Sequence, residues 1–269
     1  MSSSSYESLL KRPVDDIRKH IRSGDYRGQT AGFAPGKLQA NLVILDGGYA
    51  DHFLEFCERN PKPCPLVGLS RRGDPNLPIL GEIDIRTDVP SYNIYRDGDL
   101  TETVHDIINL WTDGMIAFAL GCSFTFEHAL VKAGIGVKHI EANKTVPMYR
   151  TNLALFQAGP FKGEMVVSMR PIPGERLQDA IRISSTFEHA HGAPVHVGDG
   201  GEIGIDDLDA PDWGDPAELA PGDVPVFWAC GVTPQNVLEA ARPPLCITHT
   251  PGRMLITDHP EDQKPALVV

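Results

Sequence analysis

The chain has 269 residues, of which 41% are hydrophobic and 22% are charged, and these values are ordinary for a globular protein. Its formal net charge of −12 argues against nucleic acid and anionic membranes as partners, because both attract positive surfaces. No apolar run approaches the about eighteen residues of a membrane span, and the start is polar, so we expect a cytoplasmic protein.

The first third of the chain predicts alternating helices and strands. Residues 13–23 have apolar side chains at helical spacing and predict a helix. The apolar run at 40–45 predicts a strand, and 49–60 predict the next helix. Residues 61–90 are rich in Pro and Gly and should be irregular or contain only short strands, whereas 91–98 predict a strand.

Two later junctions share one pattern of strand, Gly/Cys turn and helix. Residues 115–120 run into Gly121-Cys122-Ser123, and residues 224–229 run into Cys230-Gly231. Ser123 and Thr233 are the predicted N-caps of the helices that follow. Because the first N–H groups of a helix have no partner within the helix, both turns are candidate anion sites.

Between and after these junctions the pattern predicts strands at 146–152 and 164–173, a helix at 175–187, and two strands within 245–258. Strands that alternate with helices indicate the α/β class, with a mostly parallel sheet covered on both faces. The closely spaced strands at 146–152 and 164–173 indicate a smaller α+β unit beside that sheet.

Cysteines at the two turns are candidates for nucleophilic chemistry. The five cysteines form no C-x-x-C pair, which argues against a disulfide framework or a structural zinc site. A helix start lowers the pKa of a nearby thiol, so Cys122 or Cys230 would be a thiolate. The alternative is that each thiol packs as a small apolar group.

Other polar residues suggest binding or proton transfer. Arg150 and Asn152 stand in a predicted strand, where Arg150 would grip a carboxylate or form a structural ion pair. His249 and Asp258 would form a His–carboxylate pair, or His249 would serve packing. The stretch between Arg182 and Arg242 lacks Lys and Arg and is acidic, which is typical of a solvated loop.

Cofactor use is predicted to be absent. The alternative that we favour less is a divalent metal ion held by four side chains with loose spacing: His189, His191, His196 and Asp199. The sequence contains no phosphate loop and no dinucleotide fingerprint between a strand and a helix. From the residues alone, the chain is an anion-binding α/β enzyme of unspecified reaction.

Several ordered strings between about residue 15 and residue 260 resemble the D-glutamate cyclase family: SGDYRGQTAGFAPGKLQANLVIL (23–45), FCERNPKPCPL (56–66), ALGCSFTFEHAL (119–130), NKTVPMYRTN (143–152), HGAPVHVGD (191–199), VPVFWACGVTPQ (224–235) and THTPGRMLITD (248–258). The resemblance implies a two-domain α/β fold, with a three-layer αβα sandwich and a smaller two-layer α+β unit. We assign 1–80 and 177–269 to the main domain and 81–176 to the smaller one.

The resemblance also implies a hydro-lyase that dehydrates D-glutamate to 5-oxo-D-proline. For that reaction Arg150 would clamp the α-carboxylate, while the two Gly/Cys turns would hold the side-chain carboxyl group. Glu127 or His249 would be the base and acid, with Asp258 orienting His249. Asn152, Thr233 and Gln235 complete the predicted binding residues.

Four alternatives remain open at this point, and one is a metal-dependent hydrolase that would use the metal ligands named above. A covalent thioester through Cys122 is a different route to the same product. A lyase or hydratase acting on another small hydroxy or amino acid would use the same anion site. A non-catalytic carboxylate-binding protein, with self-association into a homo-oligomer, would explain the binding residues without turnover.

Overall fold

The computed structural model describes residues 5–142 and 144–267. Its helices are α1 (Tyr6–Leu9), α2 (Val14–Arg22), α3 (Gly47–Arg59), α4 (Phe124–Lys132), α5 (Lys138–Glu141), α6 (Leu177–Ser185) and α7 (Val232–Ala241). Its strands are β1 (Lys37–Asp46), β2 (Leu66–Leu69), β3 (Tyr92–Arg96), β4 (Asp99–Val104), β5 (Met115–Leu120), β6 (Met148–Ala154), β7 (Glu164–Pro173), β8 (His196–Val197), β9 (Asp223–Ala229), β10 (Cys246–His249) and β11 (Leu255–Pro260). The predicted helices and strands are confirmed, with ends that differ by a few residues.

The strands form two sheets in which the described pairs are antiparallel. The seven-stranded sheet has the order β2-β5-β1-β10-β3-β4, and β11 pairs with the first part of β1. The four-stranded sheet has the order β6-β7-β9-β8. The predicted mostly parallel sheet is therefore wrong. Alternation along the chain does not give strand direction: α3 connects β1 to β2, yet β1 pairs with β5, β10 and β11.

The seven-stranded sheet is buried on both faces. Leu42 and Ile44 of β1 pack with Leu77, Leu80 and other apolar residues of the irregular segments 70–91 and 105–114. Val43 and Leu45 point the other way, as alternate strand residues do, and pack against α3 and α7. The α/β class is confirmed. The αβα layering is not, because the irregular segments 70–91 and 105–114 rather than a layer of helices cover one face.

Apolar side chains pack against both faces of the four-stranded sheet. Ile172 of β7 and Trp228 of β9 pack with Phe126 and Leu130 of α4, and with α6. On the opposite face, Val167 and Phe227 pack with apolar residues from the acidic stretch that precedes β9. None of the helices in the described part of the chain has the length and apolar character that a membrane span requires.

The two sheets do not follow the division proposed from the sequence. The seven-stranded sheet pairs β1 with β5 across the predicted boundary at residue 80, and β7 pairs with β9 across the boundary at residue 176. These strand pairs describe sheets, and the division into domains stays a prediction.

Candidate functional site

The two Gly/Cys turns lie side by side, and Asn41 of β1 lies between them. Its Nδ2 atom donates to the Gly121 carbonyl over 3.3 Å. A Cβ placed on Gly231 would lie 2.8 Å from the same nitrogen. The Cys122 and Cys230 thiols are close enough to affect each other electrostatically. The sequence pattern therefore identified two turns that the fold brings together.

The helix starts at these turns offer backbone donors. Within residues 5–142 and 144–267, the backbone N–H groups of Ser123 and Gly231 have no hydrogen-bond acceptor. The next donors along, the N–H groups of Phe124 and Val232, face the thiols of Cys122 and Cys230. Each helix thus begins with a donor that a bound anion would satisfy.

One of the two predicted N-cap positions is confirmed. Ser123 is the N-cap residue of α4, but its side chain makes no cap bond, and its hydroxyl accepts a hydrogen bond from Arg170. Gly231, rather than Thr233, is the N-cap residue of α7. The Thr233 hydroxyl is buried and bonds to the backbone N–H and carbonyl of Val166, each over 3.0 Å. Thr233 therefore joins α7 to β7 and is not placed to bind a ligand.

A buried ion pair lies at the start of α4. The side chains of Arg170 and Glu127 are each 1% exposed, and Arg170 Nε donates to Glu127 Oε1 over 2.8 Å. The Nη1 atom donates to Ser168 Oγ over 2.9 Å, and Nη2 donates to Ser123 Oγ over 3.0 Å and to Glu127. The guanidinium thereby links α4 to β7.

Local periodicity explains how these groups meet. Ser168 and Arg170 are two residues apart on β7, so both side chains point to the face that packs on α4. Ser123 and Glu127 are four residues apart, which places them on one side of the helix. The rings of Phe126 and Trp228 stack on each other and also contact the guanidinium, whose carbon lies 5.0 and 5.4 Å from their centres.

Glu127 is held in its charged form. Burial alone would raise its pKa, but the Arg170 charge and His139, whose Nε2 lies 3.4 Å from Oε1, lower the pKa from 4.5 to about 2. A carboxylate with so low a pKa is a weak base. Glu127 is therefore better suited to holding the Arg170 side chain in place than to its predicted role in proton transfer.

The predicted thiolates are not supported. Burial raises the pKa of Cys122 to about 11, although the Phe124 N–H group acts in the opposite direction. Burial also raises the pKa of Cys230. Both thiols are therefore neutral near pH 7. The helix start does act on each thiol, as predicted, but the loss of water around the sulfur outweighs it.

The predicted His249–Asp258 pair is not formed. The Leu42 N–H group donates to His249 Nδ1 over 3.1 Å, and burial lowers the pKa of His249 to about 4. The Asp258 carboxylate instead accepts from Arg18 over 2.7 Å. His249 and Ile247 lie on one face of β10. Cys246 lies on the opposite face, which packs against α7.

Arg150, Asn152 and Gln235 lie outside the buried site. Arg150 is exposed on β6, where its guanidinium carbon lies 4.8 Å from the centre of the Trp213 ring and Nε lies 3.4 Å from Asp212. Its Nη1 atom donates to Asn236 of α7 over 3.1 Å. Asn152 is exposed, and Gln235 Nε2 donates to the Tyr95 hydroxyl over 3.4 Å. Arg150 therefore forms a surface ion pair with Asp212, which was the alternative to carboxylate binding.

The four predicted metal ligands do not form a cluster. His189 Nε2 donates to the Glu261 carbonyl, His191 Nδ1 to the Lys62 carbonyl, and His196 Nε2 to the Asp199 carbonyl. In the described ranges, no group of three or more His, Cys, Asp or Glu residues is placed to hold a metal ion. These four side chains are therefore not placed to hold one metal ion together, and the absence of cofactors stays a prediction.

Sequence reasoning missed three residues of this site: Asn41, Arg170 and Ser168. Arg170 did carry a signal, because it is the only charged residue inside the apolar strand VVSMRPIP, where a charge must find a partner. Asn41 likewise interrupts the apolar run of β1. Neither signal indicates which partner the side chain meets.

Gly121 is required by close packing, and this gives a first prediction. A Cβ at this position would lie 1.7 Å from the His189 carbonyl oxygen. We expect Gly121→Ala to lower the free energy of unfolding by about 1–3 kcal/mol or more, measured by urea denaturation. Gly48→Ala is the control, because a Cβ there meets nothing within 4 Å. Equal stability of both variants would contradict this packing.

The ion pair gives a second prediction, which concerns pH. The pKa of Glu127 is lowered in the fold, so its contribution to stability is complete above about pH 4.5 and is lost as pH falls towards 2. We expect Glu127→Gln to destabilise the protein by about 3–5 kcal/mol near pH 7. The difference from wild type should shrink below about pH 4.5, as followed by urea denaturation across pH.

The control for this experiment is Glu164→Gln, which changes an exposed carboxylate on β7. It should alter stability by less than about 0.5 kcal/mol. A Glu127→Gln difference that stayed constant down to pH 2 would show that the Glu127 charge does not stabilise the fold.

Comparison with known proteins agrees with the resemblance seen in the sequence. Residues 116–258 match the family described as D-glutamate cyclase. A protein of Dinoroseobacter shibae named "Putative hydro-lyase" is 58% identical over 258 residues, covering 96% of this chain and 86% of its own. A protein of Jannaschia sp. with the same name is 62% identical, covering 91% and 93%. One solved structure, a nitrogen repressor-like protein from Methanococcus jannaschii, matches 87% of this chain and 91% of its own with 10% identity and a TM-score of 0.37. This similarity is too low to indicate a shared fold or function. The chain belongs to the D-glutamate cyclase family, a family of lyases.

Proposed function

We propose that this lyase dehydrates D-glutamate to 5-oxo-D-proline at the site formed by the two turns. One observation carries the proposal: two helix starts from different sheets meet at Asn41 with the N–H groups of Ser123 and Gly231 unpaired within the described residues. A carboxylate seated there would receive donors from both helices. The family match makes a small carboxylate the first choice of substrate.

The reaction needs such donors. In the dehydration, the α-amine attacks the side-chain carboxyl carbon, and one carboxyl oxygen leaves as water. A carboxylate is a poor electrophile, so the site must stabilise the negative charge that grows on its remaining oxygen. Backbone N–H groups at Ser123 and Gly231 fit this task, because the turns already present them without an acceptor in the described residues before the substrate arrives.

Asn41 is better placed than Arg150 to position the substrate. It lies within the two-turn site, whereas the exposed Arg150 already contacts Asp212 and Asn236. In our proposal Asn41 gives up its 3.3 Å hydrogen bond to the Gly121 carbonyl and donates to a substrate oxygen instead. Variants of Arg150 and Asn41 therefore test which of the two residues binds the substrate carboxylate.

The experiment is NMR of purified protein with D-glutamate or L-glutamate, followed for 5-oxoproline against a no-enzyme control. We expect product from the D-isomer alone. Asn41→Asp should lower kcat/KM by about tenfold or more, because it removes a donor and places a like charge against the substrate. Arg182→Ala, on the exposed side of α6, is the control and should match wild type.

Each outcome has a defined meaning. Product that is lost in Arg150→Ala but kept in Asn41→Asp would restore Arg150 as the clamp. No product from either isomer would remove D-glutamate as the substrate, and other small hydroxy and amino acids would then be screened by thermal shift. A ligand that raises the melting temperature without being consumed would favour a carboxylate-binding protein.

The covalent route predicts a different result for Cys122. With its pKa raised to about 11, the thiol is protonated near pH 7 and is a weak nucleophile. We therefore expect Cys122→Ser to retain turnover in the same NMR assay. Complete loss of product from a folded Cys122→Ser variant would instead indicate a thioester through this residue.

A further inference from the structure

His191 has a buried nitrogen that the fold does not use. Its side chain is buried, with the residue 1% exposed, and Nδ1 donates to the Lys62 carbonyl over 2.9 Å. The Nε2 atom is buried and has no hydrogen-bond partner among the described residues. A buried polar atom without a partner destabilises a fold, so its presence calls for an explanation.

The position of His191 relates it to the two-turn site. It follows His189 and Ala190, whose backbone packs so closely on Gly121 that a Cβ there would touch both residues. The charge of Arg170 also acts on the imidazole ring. Lys62 fixes this segment from both sides, since its carbonyl accepts from His191 and its ammonium group donates to the Ala193 carbonyl.

The hydrogen bond to Lys62 decides which nitrogen can accept a proton. A carbonyl only accepts, so Nδ1 carries the ring proton and Nε2 has a free lone pair. Burial, together with the positive charges of Arg170 and Lys62, keeps the ring neutral and lowers its pKa to about 4. His191 is thus a neutral proton acceptor, held in one tautomer, two residues after the His189 carbonyl that packs on Gly121.

We propose that His191 Nε2 is the base of the dehydration, an inference that rests on the proposed function. Nε2 takes a proton from the substrate ammonium group, and the freed nitrogen lone pair forms the C–N bond. The imidazolium returns that proton to the departing carboxyl oxygen, and the second nitrogen proton follows by the same route. The C–O bond breaks and one water leaves, so protons and charges balance.

Substrate binding supplies the basicity that the free site lacks. An anionic carboxylate placed beside the ring opposes the positive charges of Arg170 and Lys62, which raises the affinity of Nε2 for a proton. The other candidate bases are engaged. Glu127 is paired with Arg170, and His249 Nδ1 already accepts from Leu42.

His191→Asn tests this role with little change to the fold. The backbone of His191 has φ of 77°, a conformation that Asn tolerates, and the Asn amide can replace the Nδ1 donor to Lys62. We expect kcat for D-glutamate to fall by about 10²–10⁴-fold, with KM little changed. His196→Gln is the matched control, because it lies on the edge strand β8, keeps a donor to the Asp199 carbonyl and should turn over like wild type.

A second variant and a measurement on wild type guard against a folding defect. His191→Gly permits the same backbone conformation and leaves space for free imidazole, which should restore part of the activity. In wild type labelled with ¹⁵N-histidine, D-glutamate should move the Nε2 resonance of His191 towards that of a protonated nitrogen.

The results separate this inference from the proposed function. If wild type forms 5-oxoproline and folded His191→Asn does so at a similar rate, the role of His191 is overturned while the function stands. An Nε2 resonance unchanged by saturating D-glutamate in an active enzyme overturns it equally. If wild type forms no product from D-glutamate, the proposed function and this inference fail together.

Discussion

The ion pair between Arg170 and Glu127 is the interaction on which the candidate site depends. Removing both charges from water costs several kcal/mol per ion, so the pair is stable only because its remaining hydrogen-bonding groups are satisfied. Arg170 bonds to Glu127, Ser168 and Ser123, while the Phe126 and Trp228 rings contact the guanidinium. Since Ser123 begins α4, this network fixes where that helix starts and therefore where the Gly121 turn lies.

The two Gly/Cys junctions meet because the helix after each one packs on the sheet to which its preceding strand does not belong. β5 belongs to the seven-stranded sheet, yet α4, which follows it, packs on the four-stranded sheet through Phe126 and Leu130. β9 belongs to the four-stranded sheet, yet α7 packs on the seven-stranded sheet through Val237 and Leu238. The chain thus crosses between sheets at two places, and the crossings lie next to each other at Asn41. A site built this way needs both sheets to form.

Local pattern predicted the elements and the two turns, because strand, turn and helix are each encoded within about ten residues. It did not predict strand direction or long-range partners, which depend on how distant segments pair. Arg150 and Arg170 illustrate the difference. Both follow apolar strand residues, but β6 is an edge strand that leaves Arg150 exposed, whereas β7 is central and directs Arg170 into α4. The thiols were misjudged for a related reason: the helix start is visible in the sequence, but the burial that raises the pKa of Cys122 is not.

The charges at the site are balanced before any ligand arrives. Glu127 compensates Arg170, and the Cys122 thiol and the His191 ring are both neutral near pH 7. In the proposed function, attraction for a carboxylate therefore comes from oriented N–H groups at the starts of α4 and α7 rather than from an unpaired cation. Such donors act only at short range, so the fit of a ligand between the two turns decides binding. Close packing of Gly121 on the His189 carbonyl and of Gly231 on Asn41 sets the spacing of the two turns, so the proposed function depends on these two glycines as much as on any charged side chain.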